Sequence, residues 1–188
     1  MAKQHTLSDV LPTKRYILTG TPGSGKTSII GALAARGYIT VPEAATAVIA
    51  QAQKNHIASP WEHPEFIDTI IRLQYKQQRH ALPGLQFYDR SPICSYALSR
   101  YLGFSPSTCL MDEINRISDE HIYEKKVFFV AHLGFIVNTK ARQISFEDAL
   151  RFERLHEEVY QEWGYQTITV PAASIDTRCD QIIKEVYR

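Results

Sequence analysis

The run Arg15-Tyr16-Ile17-Leu18-Thr19 is short, apolar and β-favouring, and it leads straight into Gly20-Thr21-Pro22-Gly23-Ser24-Gly25-Lys26-Thr27. The residues that follow, Thr27 to Arg36, repeat their apolar positions at helical spacing and stop at Gly37. Strand, glycine-rich loop and helix in this order constrain the fold more than any other stretch of the chain. The loop has the spacing G-x-x-x-x-G-K-[ST] of a phosphate-binding loop. Its glycines let the backbone curl until successive N–H groups face phosphate oxygens, at a helix N-terminus where the dipole favours an anion. Lys26 is a point charge for the β- and γ-phosphates, and the Thr27 hydroxyl is placed to reach Mg²⁺. Gly20 to Thr27, with Ser28 after them, are the expected nucleotide-binding residues, and a nucleoside triphosphate with magnesium is the expected ligand.

Strand-like runs alternate with helix-like stretches over the rest of the chain. Strands are expected at Tyr16–Thr19, Tyr38–Val41, Leu85–Tyr88, Val127–Ala131 and Thr167–Val170. Helices are expected at Lys26–Arg36, Ala44–Asn55, Pro64–Ala81, Ser91–Leu102, Thr108–Tyr123 and Ser145–Trp163, with a last one from about Ile175 onward. The alternation predicts an α/β fold, a parallel sheet wrapped by helices. Such a sheet binds ligands beyond the carboxyl ends of its strands. That rule nominates Gly20–Thr27, Glu43, Asp89-Arg90-Ser91, His132 and the turn Pro171-Ala172-Ala173.

A length of 188 residues suits one domain with a sizeable core. Residues 1–14 read as a flexible lead-in and 15–188 as a single domain. The 21 basic and 20 acidic residues leave a formal charge of +1, which gives no electrostatic footprint for nucleic acid or an anionic membrane. No apolar run is long enough for a membrane span, and the first residues lack the apolar core of a signal peptide. A cytoplasmic location is therefore expected. Cys94, Cys109 and Cys179 are odd in number and widely spaced, so they read as free thiols rather than zinc ligands or a disulfide framework.

Two acids fall at strand ends. Asp89 follows the third strand, where a carboxylate can hold Mg²⁺ or accept a proton from an acceptor hydroxyl. Beside it, the planar fork of Arg90 suits a phosphate or carboxylate. Glu43 tops the second strand and opens a helix, as a general base, a substrate anchor or simply a dipole-favoured acid. One of the two acids would hold the metal and the other would handle the acceptor, and the order along the chain leaves open which does which. In Asn138-Thr139-Lys140-Ala141-Arg142, Arg142 and more weakly Lys140 are candidates for a cationic lid at about 134–145. The charged helix Glu147–Glu162 reads as a solvated face with i,i+4 pairs. Phe66, Tyr75, Tyr96, Tyr101, Phe128, Phe129, Phe135 and Tyr160 read as packing, with Trp61 and Tyr96 as weaker candidates for an acceptor pocket.

Gly20–Thr27, Val41-Pro42-Glu43-Ala44-Ala45, Phe87-Tyr88-Asp89-Arg90-Ser91 and the run from Glu158 through Gly164, Val170 and Arg178 together resemble the small P-loop ATPases labelled AAA-type. These are related to the ribosylnicotinamide kinase domain and to nucleoside-kinase-like P-loop proteins. The resemblance implies a three-layer sandwich around a five-stranded parallel sheet in the order 2-3-1-4-5. It also implies ATP with Mg²⁺, and phosphoryl transfer to a small hydroxylated, nucleoside-like acceptor. By the same similarity the acid ending the second strand is a candidate base, and the Asp-Arg pair an organiser of phosphate and metal. Two features set the chain apart from AAA+ motors: Asp89 is followed by Arg90 rather than a second acid, and residues 15–188 are expected to form a single domain without a helical lid domain. A guanine-binding Asn-Lys-x-Asp signature is missing too, which favours ATP over GTP. The expected activity is that of a kinase. An ATPase acting as a regulatory switch and a nucleotide-sensing module are the alternatives.

Overall fold

The computed structural model describes residues 12–132 and 146–188. Five strands, β1 (Lys14–Thr19), β2 (Ile39–Val41), β3 (Leu85–Asp89), β4 (Lys126–Val130) and β5 (Gln166–Val170), form one sheet in the order β2-β3-β1-β4-β5. Every pairing is parallel, with Leu18 opposite both Asp89 and Phe128. This is the expected order. It puts the two acid-bearing strand ends, Val41–Glu43 and Asp89, on the same side of the loop that leaves β1.

Among the described residues, seven helices cover the sheet: α1 (Lys26–Ala35), α2 (Ala44–Lys54), α3 (Glu65–His80), α4 (Pro92–Leu102), α5 (Thr108–Asp119), α6 (Phe146–Glu162) and α7 (Ile175–Val186). The core divides as a period-two strand requires. Tyr16, Leu18, Phe87, Phe128 and Val130 pack with Ile29, Ile30 and Leu33 of α1 and with Cys179 and Ile182 of α7. Ile17, Tyr88 and Val127, the intervening residues, pack with α2 to α6. Strands buried on both faces explain why these segments read as unbroken apolar runs.

Most element ends fall within two residues of expectation, and two features depart further. α5 stops at Asp119, so Tyr123 lies beyond the helix, where it is buried edge-on to Tyr88 with ring centroids 5.2 Å apart. A short 3₁₀ turn, Pro60–Glu62, precedes α3 and was not legible beforehand. Ser107 and Ser174 cap α5 and α7, accepting hydrogen bonds from Leu110 N (3.1 Å) and Thr177 N (3.2 Å). Among the described residues no helix is long and apolar enough to cross a membrane.

Candidate active site

The loop between β1 and α1 takes the shape that its glycines permit. Gly20, Gly23 and Gly25 all have positive φ, and a Cβ on Gly20 would run into the Val130 carbonyl of neighbouring β4. Lys26 is buried at the first position of α1. Its Nζ donates to Gly20 O (3.0 Å), Thr21 O (2.6 Å) and Ser24 Oγ (3.1 Å), so the ammonium is held inside the curl of the loop. Thr27 and Ser28 lie exposed on the first turn.

Asp89 lies at the end of β3, beside the loop. Its Oδ2 accepts a hydrogen bond from Thr27 Oγ1 at 3.1 Å, and its buried Oδ1 has no partner. Burial and then the charge of Glu43 push the Asp89 carboxyl above its usual range, against the pull of Lys26, Arg90 and Thr27. A hydroxyl and a carboxylate with an orphaned oxygen, both next to a phosphate loop, are the donor set a magnesium ion takes from protein. The curled loop, its inward lysine and this pair therefore fit a magnesium–nucleotide.

Arg90 follows with φ 75°, an uncommon conformation for a non-glycine residue and one that stores about 1–3 kcal/mol. It is locked from both ends. Its backbone N–H donates to Leu18 O (3.0 Å), and its Nε donates to Glu43 Oε1 (2.7 Å). The two side chains are only 9% and 10% exposed. Burial opposes the charge of Arg90, but Glu43, Cys94 and Asp89 outweigh it and keep the guanidinium protonated. Glu43 Oε2 also accepts from Thr46 Oγ1 at 2.7 Å.

The Glu43–Arg90 pair lies in the wall of a cavity of about 470 Å³. Pro22 of the phosphate loop reaches the same cavity, so the two spaces are contiguous. Its apolar walls come from α2, the 3₁₀ turn and α3 (Ile49, Trp61, Phe66 and Ile70) and from Leu98 and Phe152 across them. Gln74, Cys94, Ser95 and His156 are polar groups along it. Of the two aromatic candidates for a pocket, Trp61 lines this cavity. Tyr96 does not, and meets Trp163 edge-on at 6.0 Å instead. Tyr101, read as packing, also borders it, against Phe152. Tyr75 is not packing at all: it is 42% exposed, with the Arg116 guanidinium over its ring at 4.8 Å.

Three residues near the loop were given no site role from the sequence, although Arg178 is among those that carry the resemblance. Arg178 of α7, 2% exposed, donates from Nη1 to Ser24 O and from Nη2 to Ala131 O, each at 2.8 Å, and so ties α7 to the loop and to the exit of β4. Glu153 of α6 faces Thr21 and the charges of His132 and Lys26; burial raises its carboxyl above the usual range. His156, one turn further, reaches the cavity. The helix that bears both reads as a solvated face, and only its packing turns them inward. Phe152, Val159 and Tyr160 of the same helix are buried. The Pro171-Ala172-Ala173 turn is exposed. Arg142, Lys140, Phe135 and the lid segment lie outside the described residues.

A parallel 2-3-1-4-5 sheet with a phosphate loop after β1 and an acid after β3 defines a P-loop kinase-like nucleotide-binding protein. The chain belongs to the AAA domain family, whose sequence profile matches residues 15–178. No curated protein matches the sequence significantly. Solved structures share the fold. Deoxyadenosine kinase from M. mycoides with bound dCTP is 16% identical, with a TM-score of 0.58 over 92% of this chain and 98% of that one. With bound dATP it gives 18% identity and a TM-score of 0.55, covering 93% of this chain and 100% of that one. Thymidylate kinase from Ehrlichia chaffeensis is 11% identical, with a TM-score of 0.61 over 93% and 99%.

Proposed function

We propose that the chain is an ATP- and magnesium-dependent kinase that phosphorylates a small hydroxylated, nucleoside-like acceptor. The observation that carries this reading is the cavity itself: it is apolar-walled, contiguous with the phosphate loop, and has the paired Glu43 and Arg90 in its wall. A protein that only hydrolysed ATP would need no such space. Deoxyadenosine kinase, which shares the fold, is described with dATP and with dCTP bound, which makes a nucleoside-like acceptor the first class to try.

In this reading the bound magnesium–ATP supplies the phosphoryl group and screens its charge. The loop amides of Gly23 to Thr27 orient the phosphates, and Lys26 adds positive charge where negative charge develops in the transition state. Thr27 and Asp89 would hold the metal. That leaves Glu43, on the cavity side, to take the proton from the acceptor hydroxyl, with Arg90 fixing its carboxylate and facing the transferring group. Two hydrogen bonds support this division: Thr27 of the loop donates to Asp89, and Arg90 in the cavity wall donates to Glu43.

The test is a panel of nucleosides and other hydroxylated metabolites incubated with magnesium–ATP and followed by mass spectrometry. A phosphorylated product is expected from at least one of them, with Glu43→Gln lowering its kcat by about 100-fold or more while ATP binding persists. No product across the panel, combined with ATP hydrolysis that rises only when a protein partner is added, would overturn it.

A further inference from the structure

We propose that Cys94 and His156 form a nucleophile–base pair opening into the cavity, a covalent modification site for small soft electrophiles. Both residues line the cavity. Cys94 is the third residue of α4, its N–H bonded to Ser91 O at 3.0 Å, so its sulfur lies at the positive end of a helix. Thr19 Oγ1 lies 3.3 Å from Sγ and Tyr160 Oη 3.1 Å, and Ser91 Oγ lies 2.8 Å from that phenol. A hydroxyl chain from Ser91 through Tyr160 can therefore end as a donor to sulfur.

The second observation is His156, which is only 1% exposed. Its Nδ1 is 2.9 Å from Phe152 O, a carbonyl that can only accept, so Nδ1 carries the hydrogen. The other nitrogen, Nε2, is then the basic one, and it is buried with no hydrogen-bond partner of ordinary geometry. The groups facing the sulfur are Arg90, two residues before α4, His156 and Tyr160 from α6, and Thr19 from β1. Burial pushes the Cys94 thiol up, but His156, Arg90 and Thr19 outweigh it and bring it below the usual range. Burial raises the Cys109 and Cys179 thiols as well, and there nothing outweighs it.

The step balances with a haloacetamide as the electrophile. The Sγ proton passes to His156 Nε2, and the thiolate attacks the methylene carbon. The S–C bond forms as the carbon–iodine bond breaks, iodide leaves, and the imidazolium returns its proton to water. None of this depends on the kinase reading, because the labelling needs neither nucleotide nor acceptor.

The experiment is timed labelling of the folded chain with iodoacetamide, with peptide mapping of each cysteine. Cys94 is expected to react about tenfold faster than Cys109 at pH 7, although Cys109 is the more exposed. His156→Gln should slow Cys94 by about tenfold and move its labelling midpoint to higher pH, with Cys109 unchanged. Labelling of Cys109 ahead of Cys94 in the wild-type chain would refute the pair, and so would a Cys94 rate and pH profile indifferent to His156→Gln. Should that variant fail to fold, the wild-type order of labelling decides alone.

Discussion

Asp89 is held at a cost that Lys26, Arg90 and Thr27 offset only in part. Burial raises its carboxyl above the ordinary value of 3.8, so the unfolded chain releases this proton at lower pH than the native one. Native stability is therefore lost as pH rises from the unfolded pKa through the folded one, and the deficit is fully present above it. Asp89→Asn removes that buried charge while keeping an acceptor for Thr27. Calorimetry of the ligand-free variant should show a higher melting temperature than wild type at pH 7, the gap closing as pH falls toward about 4. Magnesium-dependent nucleotide binding should be lost in the same variant. A melting temperature below wild type at pH 7 would contradict the burial argument. Glu43 is different. It balances the buried Arg90, and truncating it to Ala strands a cation, at about 3–5 kcal/mol. The amide variant is for that reason the better probe of its chemistry.

At the scale of elements, α7 does more than close the sheet. Arg178 reaches from its first turns to Ser24 in the loop and Ala131 after β4, two carbonyls that no other residue of α7 serves among the described contacts. Hydrogen bonds from a charged group contribute about 1.5–3 kcal/mol each, and the carbonyls left behind are poorly solvated. Arg178→Met, of similar length and no donors, should destabilise the protein by about 3 kcal/mol in urea titrations. Arg178→Lys has one compact head for two diverging carbonyls and should recover only part of this. An additional loss of nucleotide affinity in Arg178→Lys would show that the tether shapes the loop as well as the fold. Retained stability in Arg178→Met would remove α7 from the site.

For the whole molecule, the loop, β1, β3 and α1 are one packed unit, so a ligand on the loop stabilises all of it. At 100 times its dissociation constant, magnesium–ATP should add about 2.7 kcal/mol, or roughly 5–10 °C in melting temperature for a chain of this size. Lys26→Ala should abolish that increment, as measured by thermal shift with and without magnesium. An unchanged increment would mean that the nucleotide binds elsewhere.

The phosphate loop, the acids at strand ends and the parallel fold were legible because each follows from local spacing: glycines that must turn, apolar runs buried on both faces, and a carboxylate one residue past a strand. The sequence by itself determined that a loop of phosphate-binding spacing, Gly20–Thr27, joins a strand to a helix, and that Glu43 and Asp89 fall at the ends of two other strands. Spacing along one helix cannot say which side of it meets a neighbour, so Glu153 and His156 passed for solvent-facing charge until α6 packed beside the loop and the cavity. Arg178 lies 154 positions from the Ser24 carbonyl it holds, beyond the reach of any local rule. Tertiary packing alone decided that Asp89 faces the loop while Glu43 pairs with Arg90, and that Cys94 and His156 share one cavity. Those contacts join strands and helices distant in sequence, and burial sets their energies, which no residue carries on its own.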